Sequence, residues 1–149
     1  MALKERIEGD IKKAMLAKDK DRLRALRAIK ASILLVETEK GTNGAISEDK
    51  EISILMKAVK QRKESADIYT QQGRPELAKG EMDELAIIEE YLPKQLSEEE
   101  LKEKLSEIIK RIGASTPKDM GKVMGVATKE LAGTADGKMV STIVKQLLT

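Results

Sequence analysis

The sequence predicts an all-α protein of seven helices in two groups. Aromatic residues make up 1% of the 149 positions and charged residues 36%, a composition typical of helices that pack through aliphatic side chains. Apolar residues recur every three or four positions, which is the period of an α-helix. Pro93 disfavours helical geometry before it, and Ser97 with Glu100 has the pattern of a capping box. The chain is therefore predicted to divide at this junction.

Four helices are predicted before the junction, over about residues 2–17, 20–40, 48–72 and 75–92. The tract from Gly41 to Ala45 is the predicted loop between the second and third. Ser47 fits the N-cap of the third helix, Gly73 the position after its end, and Pro75 the first turn of the fourth. Short loops favour one domain, residues 1–94. The expected inner faces are Leu3, Ile7, Ile11, Ala14 and Met15; Leu26, Ile29, Ile33 and Val36; Ile52, Leu55, Met56, Val59 and Ala66; and Ala78, Met82, Leu85, Ile88 and Leu92.

Three shorter helices are predicted after the junction. The fifth begins after Ser97 and ends at Gly113, Thr116 and Pro117 begin the sixth, and Asp136 caps the seventh. Their expected inner faces are Leu101, Leu105, Ile108, Ile109 and Ile112; Met120, Val123, Met124, Ala127 and Leu131; and Met139, Val140, Ile143, Val144, Leu147 and Leu148. They predict a small three-helix domain, residues 95–149, with marginal stability of its own.

The side-chain inventory disfavours catalysis. The chain has no His, Cys, Trp or Phe, so it lacks the commonest general base, the thiol nucleophile and the soft metal ligands. We therefore predict no catalytic residue, no metal site and no cofactor. No segment approaches 18 consecutive apolar residues and the first 20 residues do not resemble a secretory signal, so we expect no membrane association and a cytoplasmic location.

The predicted sixth helix carries the strongest candidate for a binding site. Lys118, Lys122, Gly125 and Lys129 follow helical spacing on one face opposite the apolar face, and Gly121 lies beside them. Two interpretations stay open. The glycines could let the seventh helix pack closely, or they could let an anionic surface such as a nucleic-acid backbone approach between lysines. Lys138 and Arg111 are candidates for further contacts with such a surface.

A second basic cluster occurs on the second and third helices. Acidic residues are interspersed with it, so solvated helix faces explain it better than a binding site does. Its members are Lys20, Arg24, Arg27, Lys57, Lys60, Arg62 and Lys63.

Six pieces of the sequence, in order, carry a family resemblance. They are LRALRAIKASI, VKQRKESADIY, GRPELAKGE, EEYLPKQLSEEEL, KDMGKVMG and GTADGKMVSTIVKQLL, which run from residue 23 to residue 148. With these pieces the chain resembles the YqeY family, small bacterial proteins related to the tail of the B subunit of the tRNA-dependent aspartyl/glutamyl amidotransferase. The resemblance implies that tRNA, or an enzyme that handles tRNA, is the partner.

The predicted function is therefore non-catalytic binding of tRNA or of a tRNA-handling enzyme. Modules that read single-stranded bases stack them on aromatic rings, and here Tyr69 and Tyr91 are the only aromatic residues. Two alternatives remain. By family association the protein could be an auxiliary component of glutamine-dependent carbon–nitrogen ligation. It could also be an adaptor that uses the acidic fourth and fifth helices against a basic protein partner.

Overall fold

The computed structural model describes residues 2–39 and 46–149, and within them it contains seven α-helices and no β-strand. The all-helical prediction is confirmed. The predicted loop at residues 41–45 lies outside the described residues. The helices are α1 Leu3–Ala17, α2 Lys20–Glu37, α3 Glu48–Gln71, α4 Pro75–Glu89, α5 Glu98–Ile112, α6 Met120–Glu130 and α7 Gly137–Leu147, with a single 3-10 turn at Pro117–Asp119.

The boundary residues act largely as their chemistry predicts. The Ser47 hydroxyl accepts a hydrogen bond from the Lys50 backbone N–H, as an N-cap does. Ser97 and Glu100 form the complete capping box, in which each side chain accepts from the other residue's backbone N–H at 3.2 Å. Gly73 and Gly113 follow α3 and α5 with φ of 72°, a left-handed conformation that glycine adopts without steric cost.

Contacts between Cα atoms divide the chain into two compact units, Met1–Leu92 and Pro93–Thr149. In the first unit α3 and α4 pack along each other, and α2 contacts the other three helices. Their buried aliphatic side chains form one core: Leu3, Ile7, Ala14, Leu26, Ile29, Ile33, Ile54, Leu55, Ala58, Ile88 and Leu92. The second unit has a separate core, formed by Leu101, Leu105, Ile108, Val123, Ala127, Leu131, Val140, Ile143, Val144 and Leu148. That the units are independent domains stays a prediction.

Two predicted core residues of the first unit are exposed. Met15 on α1 and Met82 on α4 expose 54% and 46% of their surface, so their assignment to the inner faces was wrong. Each lies on the edge of an apolar face, where helical spacing alone does not decide which position a neighbouring helix covers.

Helix α4 ends at Glu89 and not at the predicted Leu92. The backbone N–H groups of Tyr91 and Leu92 bond to carbonyls three residues back instead of four, which tightens the chain into a turn before Pro93. The Tyr91 hydroxyl donates a hydrogen bond to the Asp10 carboxylate on α1, and Arg6 lies 4.5 Å from the centre of the Tyr91 ring. These contacts hold the turn against α1.

Ionic contacts also join α4, and the turn after it, to the neighbouring helices. Arg22 of α2 donates two hydrogen bonds to the Glu90 carboxylate, at 3.2 and 2.9 Å. Glu84 lies between two arginines, with its oxygens 3.6 Å from Nε of Arg24 on α2 and 3.6 Å from Nε of Arg62 on α3. Arg62 Nε is buried and has no hydrogen-bond partner within range, so the Glu84 charge is what compensates it.

In the second unit, residues before α5 bond to the turn between α6 and α7. The Leu96 N–H donates to the Thr134 carbonyl at 2.9 Å, and the Gln95 side-chain amide donates to the Gly133 carbonyl at 2.6 Å. The same amide group lies 2.9 Å from the Pro93 carbonyl. The unit thus uses its first residues to bond a turn 38 positions later in the chain.

Candidate nucleic-acid interface

The segment before α6 forms a capped 3-10 turn. The Asp119 carboxylate accepts hydrogen bonds from the backbone N–H groups of Ser115 and Thr116, at 3.0 and 3.3 Å. These bonds favour the charged carboxylate and lower the pKa of Asp119 from its ordinary value.

Lys118 lies inside this turn, before α6 begins. The prediction that it shares an α-helical register with the other lysines was therefore wrong, because a 3-10 turn advances each residue by about 120° and an α-helix by about 100°.

Exposed residues of α6 line a shallow depression of about 390 Å³, which we call the glycine groove. Its lining residues are Gly121, Lys122, Gly125, Val126, Lys129 and Glu130. A Cβ atom built on Gly121 or Gly125 meets no atom within 4 Å outside the local helix backbone. Close packing against α7 at these glycines is therefore excluded. The two glycines instead leave a strip of helix backbone open to an approaching molecule.

The charged groups of the glycine groove carry a net positive charge. Lys122 and Lys129 are exposed, and among the described residues no carboxylate forms an ion pair with either. Glu130 is paired with Arg111 of α5, whose guanidinium donates a hydrogen bond to Glu130 Oε1. Lys122 also lowers the pKa of the nearby Asp119 carboxylate, but it forms no ion pair with it. Both lysine ammonium groups therefore remain accessible to an anion.

The structure brings together some of the predicted binding residues and separates others. Lys122, Gly125 and Lys129 line the glycine groove, and Arg111 reaches it through Glu130. Lys138 lines a different depression of about 300 Å³, beside Glu98 and Asp136. Lys118 is exposed but does not line either depression.

Glu130 is the charged groove residue that the sequence analysis did not identify as a candidate. It follows Lys129 directly and ends α6, so its position on the helix could have been predicted. Its pairing with a residue 19 positions away has no local signature, because the contact depends on how α5 packs against α6.

The second basic cluster has a structural use. Arg24 contacts Asp21 and Glu84, and Arg62 contacts Glu84 and the Ala58 carbonyl. These contacts engage two of its cations in joining α2, α3 and α4. The interpretation as helix surface, rather than as a binding site, is favoured.

Comparison with known proteins identifies the family of this chain. The family model for the Yqey-like protein matches residues 4–148, nearly the whole chain. The chain belongs to the YqeY family. No helix in the described part of this YqeY-family chain combines the length and the apolar character that crossing a bilayer requires.

A curated relative gives a second comparison. Over 116 residues the chain is 37% identical to "Altered inheritance of mitochondria protein 41, mitochondrial" from Clavispora lusitaniae. The aligned region covers 76% of this chain and 66% of that protein. The chain thus spans slightly less than two thirds of the relative's length. The name of the relative includes the word mitochondrial. The predicted cytoplasmic location of this YqeY-family chain is therefore not confirmed.

Proposed function

We propose that the protein binds the sugar-phosphate backbone of a structured RNA through the glycine groove, without catalysing a reaction. The observation that supports this proposal is the pair of exposed glycines, Gly121 and Gly125, beside two lysines without ion-pair partners among the described residues. Glycine in a helix interior costs about 0.8–1 kcal/mol relative to alanine. Neither glycine is needed for packing against another helix, and their open backbone is accessible to a ligand.

Open glycines elsewhere sharpen this argument. A Cβ atom built on Gly9 of α1 or Gly80 of α4 also meets no atom within 4 Å, so one open glycine does not indicate a ligand. The groove differs because its two glycines lie four residues apart on one face and line a depression together with Lys122 and Lys129. The open helix backbone and two lysines thus line the same depression.

We propose transfer RNA as the class of RNA that is bound, on the basis of the family resemblance. Both tyrosines precede residue 93, so the second unit has no aromatic ring on which a base could stack. Recognition through phosphates and 2′-hydroxyls, without reading bases, suits such a surface. Lys118 and Lys138 lie outside the groove and would make secondary phosphate contacts.

The wider organisation is part of the same proposal. We infer that the two units are separate domains and that the second, which has its own core, is a free-standing counterpart of the amidotransferase B-subunit tail. The protein would then present tRNA to an enzyme. An auxiliary role in carbon–nitrogen ligation remains compatible with this arrangement.

Salt dependence of tRNA binding tests the proposal. If the lysines contact about 2–4 phosphates, the logarithm of affinity falls with the logarithm of salt concentration at a slope of roughly −2 to −4. The double variant Lys122→Glu, Lys129→Glu should weaken binding to different tRNAs alike and flatten the slope. Its matched control is Lys102→Glu, Lys104→Glu, which changes the charge of the same unit equally at two exposed positions of α5.

The outcomes separate three explanations. A large effect of the groove variant and a small effect of the α5 control support the groove. Equal effects indicate that only net charge matters and reject the groove as the site. Absence of tRNA binding by the wild-type protein at low salt rejects RNA binding, and partner proteins retained after RNase treatment would then favour the adaptor.

A further inference from the structure

A carboxylate lies in the groove that attracts phosphate. Glu130 lines the glycine groove with Lys129 beside it, and 44% of its side chain is exposed. A carboxylate in this position repels phosphates unless its charge is compensated. Arg111 supplies that compensation, and it engages Oε1 alone. Among the described residues no hydrogen bond to Glu130 Oε2 occurs, so this partly exposed carboxylate keeps one acceptor atom for a ligand.

The chemistry of that acceptor limits which ligand group it contacts. A carboxylate accepts hydrogen bonds and donates none, so a phosphate oxygen is not a partner for it. A ligand held by its phosphates on Lys122 and Lys129 brings its sugars into the same groove. In RNA each sugar carries a 2′-hydroxyl that donates a hydrogen bond, and in DNA this donor is absent.

We propose that Glu130 makes the glycine groove selective for RNA over DNA by accepting a hydrogen bond from a ribose 2′-hydroxyl. This inference rests on the proposed function and specifies its ligand class. Arg111 has two effects in this arrangement. It offsets the carboxylate charge that would repel the backbone, and it holds one oxygen so that the other stays available. A hydrogen bond to a charged group contributes enough to change the ratio of RNA to DNA affinity about tenfold.

The test compares an RNA hairpin with a DNA hairpin of the same sequence, by fluorescence anisotropy on the full chain. The wild-type protein should prefer the RNA about tenfold. Glu130→Ala should lower this ratio towards one, because DNA gains from the lost repulsion and RNA loses its acceptor. Glu130→Gln, which keeps an oxygen acceptor, should retain more of the preference than the alanine variant does.

The control is Glu103→Ala on α5, which removes an equal charge from an exposed position of the same unit. It should change both affinities by a similar factor and leave their ratio unchanged. A 2′-O-methyl version of the RNA hairpin, which lacks the donor hydrogen, should bind wild-type protein as the DNA hairpin does.

Several results would overturn the inference. Equal wild-type affinity for both hairpins rejects it while leaving backbone binding intact, as does a Glu130→Ala ratio equal to that of the wild type. No binding of either hairpin at low salt rejects the proposed function itself. Circular dichroism verifies that each variant is folded.

Discussion

Replacing both groove glycines by alanine should move stability and RNA binding in opposite directions. In Gly121→Ala, Gly125→Ala each new methyl group meets no atom within 4 Å, so no steric cost offsets the gain in helix propensity. That gain is about 0.5–1 kcal/mol at Gly125 in the helix interior and smaller at Gly121 in the first turn of α6, or about 1 kcal/mol in total. If the second unit unfolds by itself, its thermal midpoint should rise by about 4–8 °C. The same methyl groups occupy the space that a ligand backbone needs.

Thermal unfolding followed by circular dichroism and tRNA affinity measured by anisotropy test both halves of this prediction. Affinity should fall about tenfold in the double variant, which corresponds to about 1.4 kcal/mol of lost contact. The matched control is Gly80→Ala, at an open helical glycine of α4, which should add about 0.5–1 kcal/mol of stability and leave tRNA affinity unchanged. A less stable double variant would refute the interpretation of these glycines as free of packing, and an unchanged affinity would refute backbone approach.

Two further predictions concern the first unit. Glu84→Ala should lower the free energy of unfolding in urea by about 2–4 kcal/mol, because Arg62, whose Nε is buried without a hydrogen-bond partner, loses its counter-charge. Glu76→Ala, at an exposed position of α4, should cost far less, and equal losses would contradict the ionic account. Burial of the Tyr91 side chain is the main cause that raises its pKa well above 10.0, and the hydrogen bond to the Asp10 carboxylate is the second cause. The folded protein therefore keeps the Tyr91 hydroxyl protonated at a higher pH than the unfolded chain does. The stability that this protonated hydroxyl contributes is fully present below about pH 10 and is lost as pH rises further. In a Tyr69→Phe variant, absorbance titration should show no tyrosinate until well above about pH 10, and ordinary titration near that pH in folded protein would be the contrary result.

The sequence predicted the helices well because their signals are local. Ser97 and Glu100 form a capping box from spacing alone, and Gly113 ends α5 in a left-handed conformation. Helical periodicity identified most of both cores. It failed at Met15 and Met82, since a position at the edge of an apolar face is buried only if a neighbouring helix extends that far.

The candidate site was predicted less completely than the fold. The sequence placed Lys122, Gly125 and Lys129 on one helix face, and the structure agrees. It left the purpose of the glycines undecided, because spacing cannot show whether another helix crosses there. The ion pair between Arg111 and Glu130 could not be predicted from the sequence either, because it depends on how α5 and α6 pack against each other.

The bonds from Gln95 and Leu96 to the turn before α7 bear on how this unit could be joined to other proteins. Because the unit closes its own first residues onto itself, a fusion made at Pro93 would carry every bond of that closure, whereas one made at Ser97 would discard them. The hydrogen bonds of residues 95 and 96 are thus made within the unit itself and do not depend on the sequence before Pro93. A fusion that begins at Pro93 should therefore keep the fold of this unit better than one that begins at Ser97.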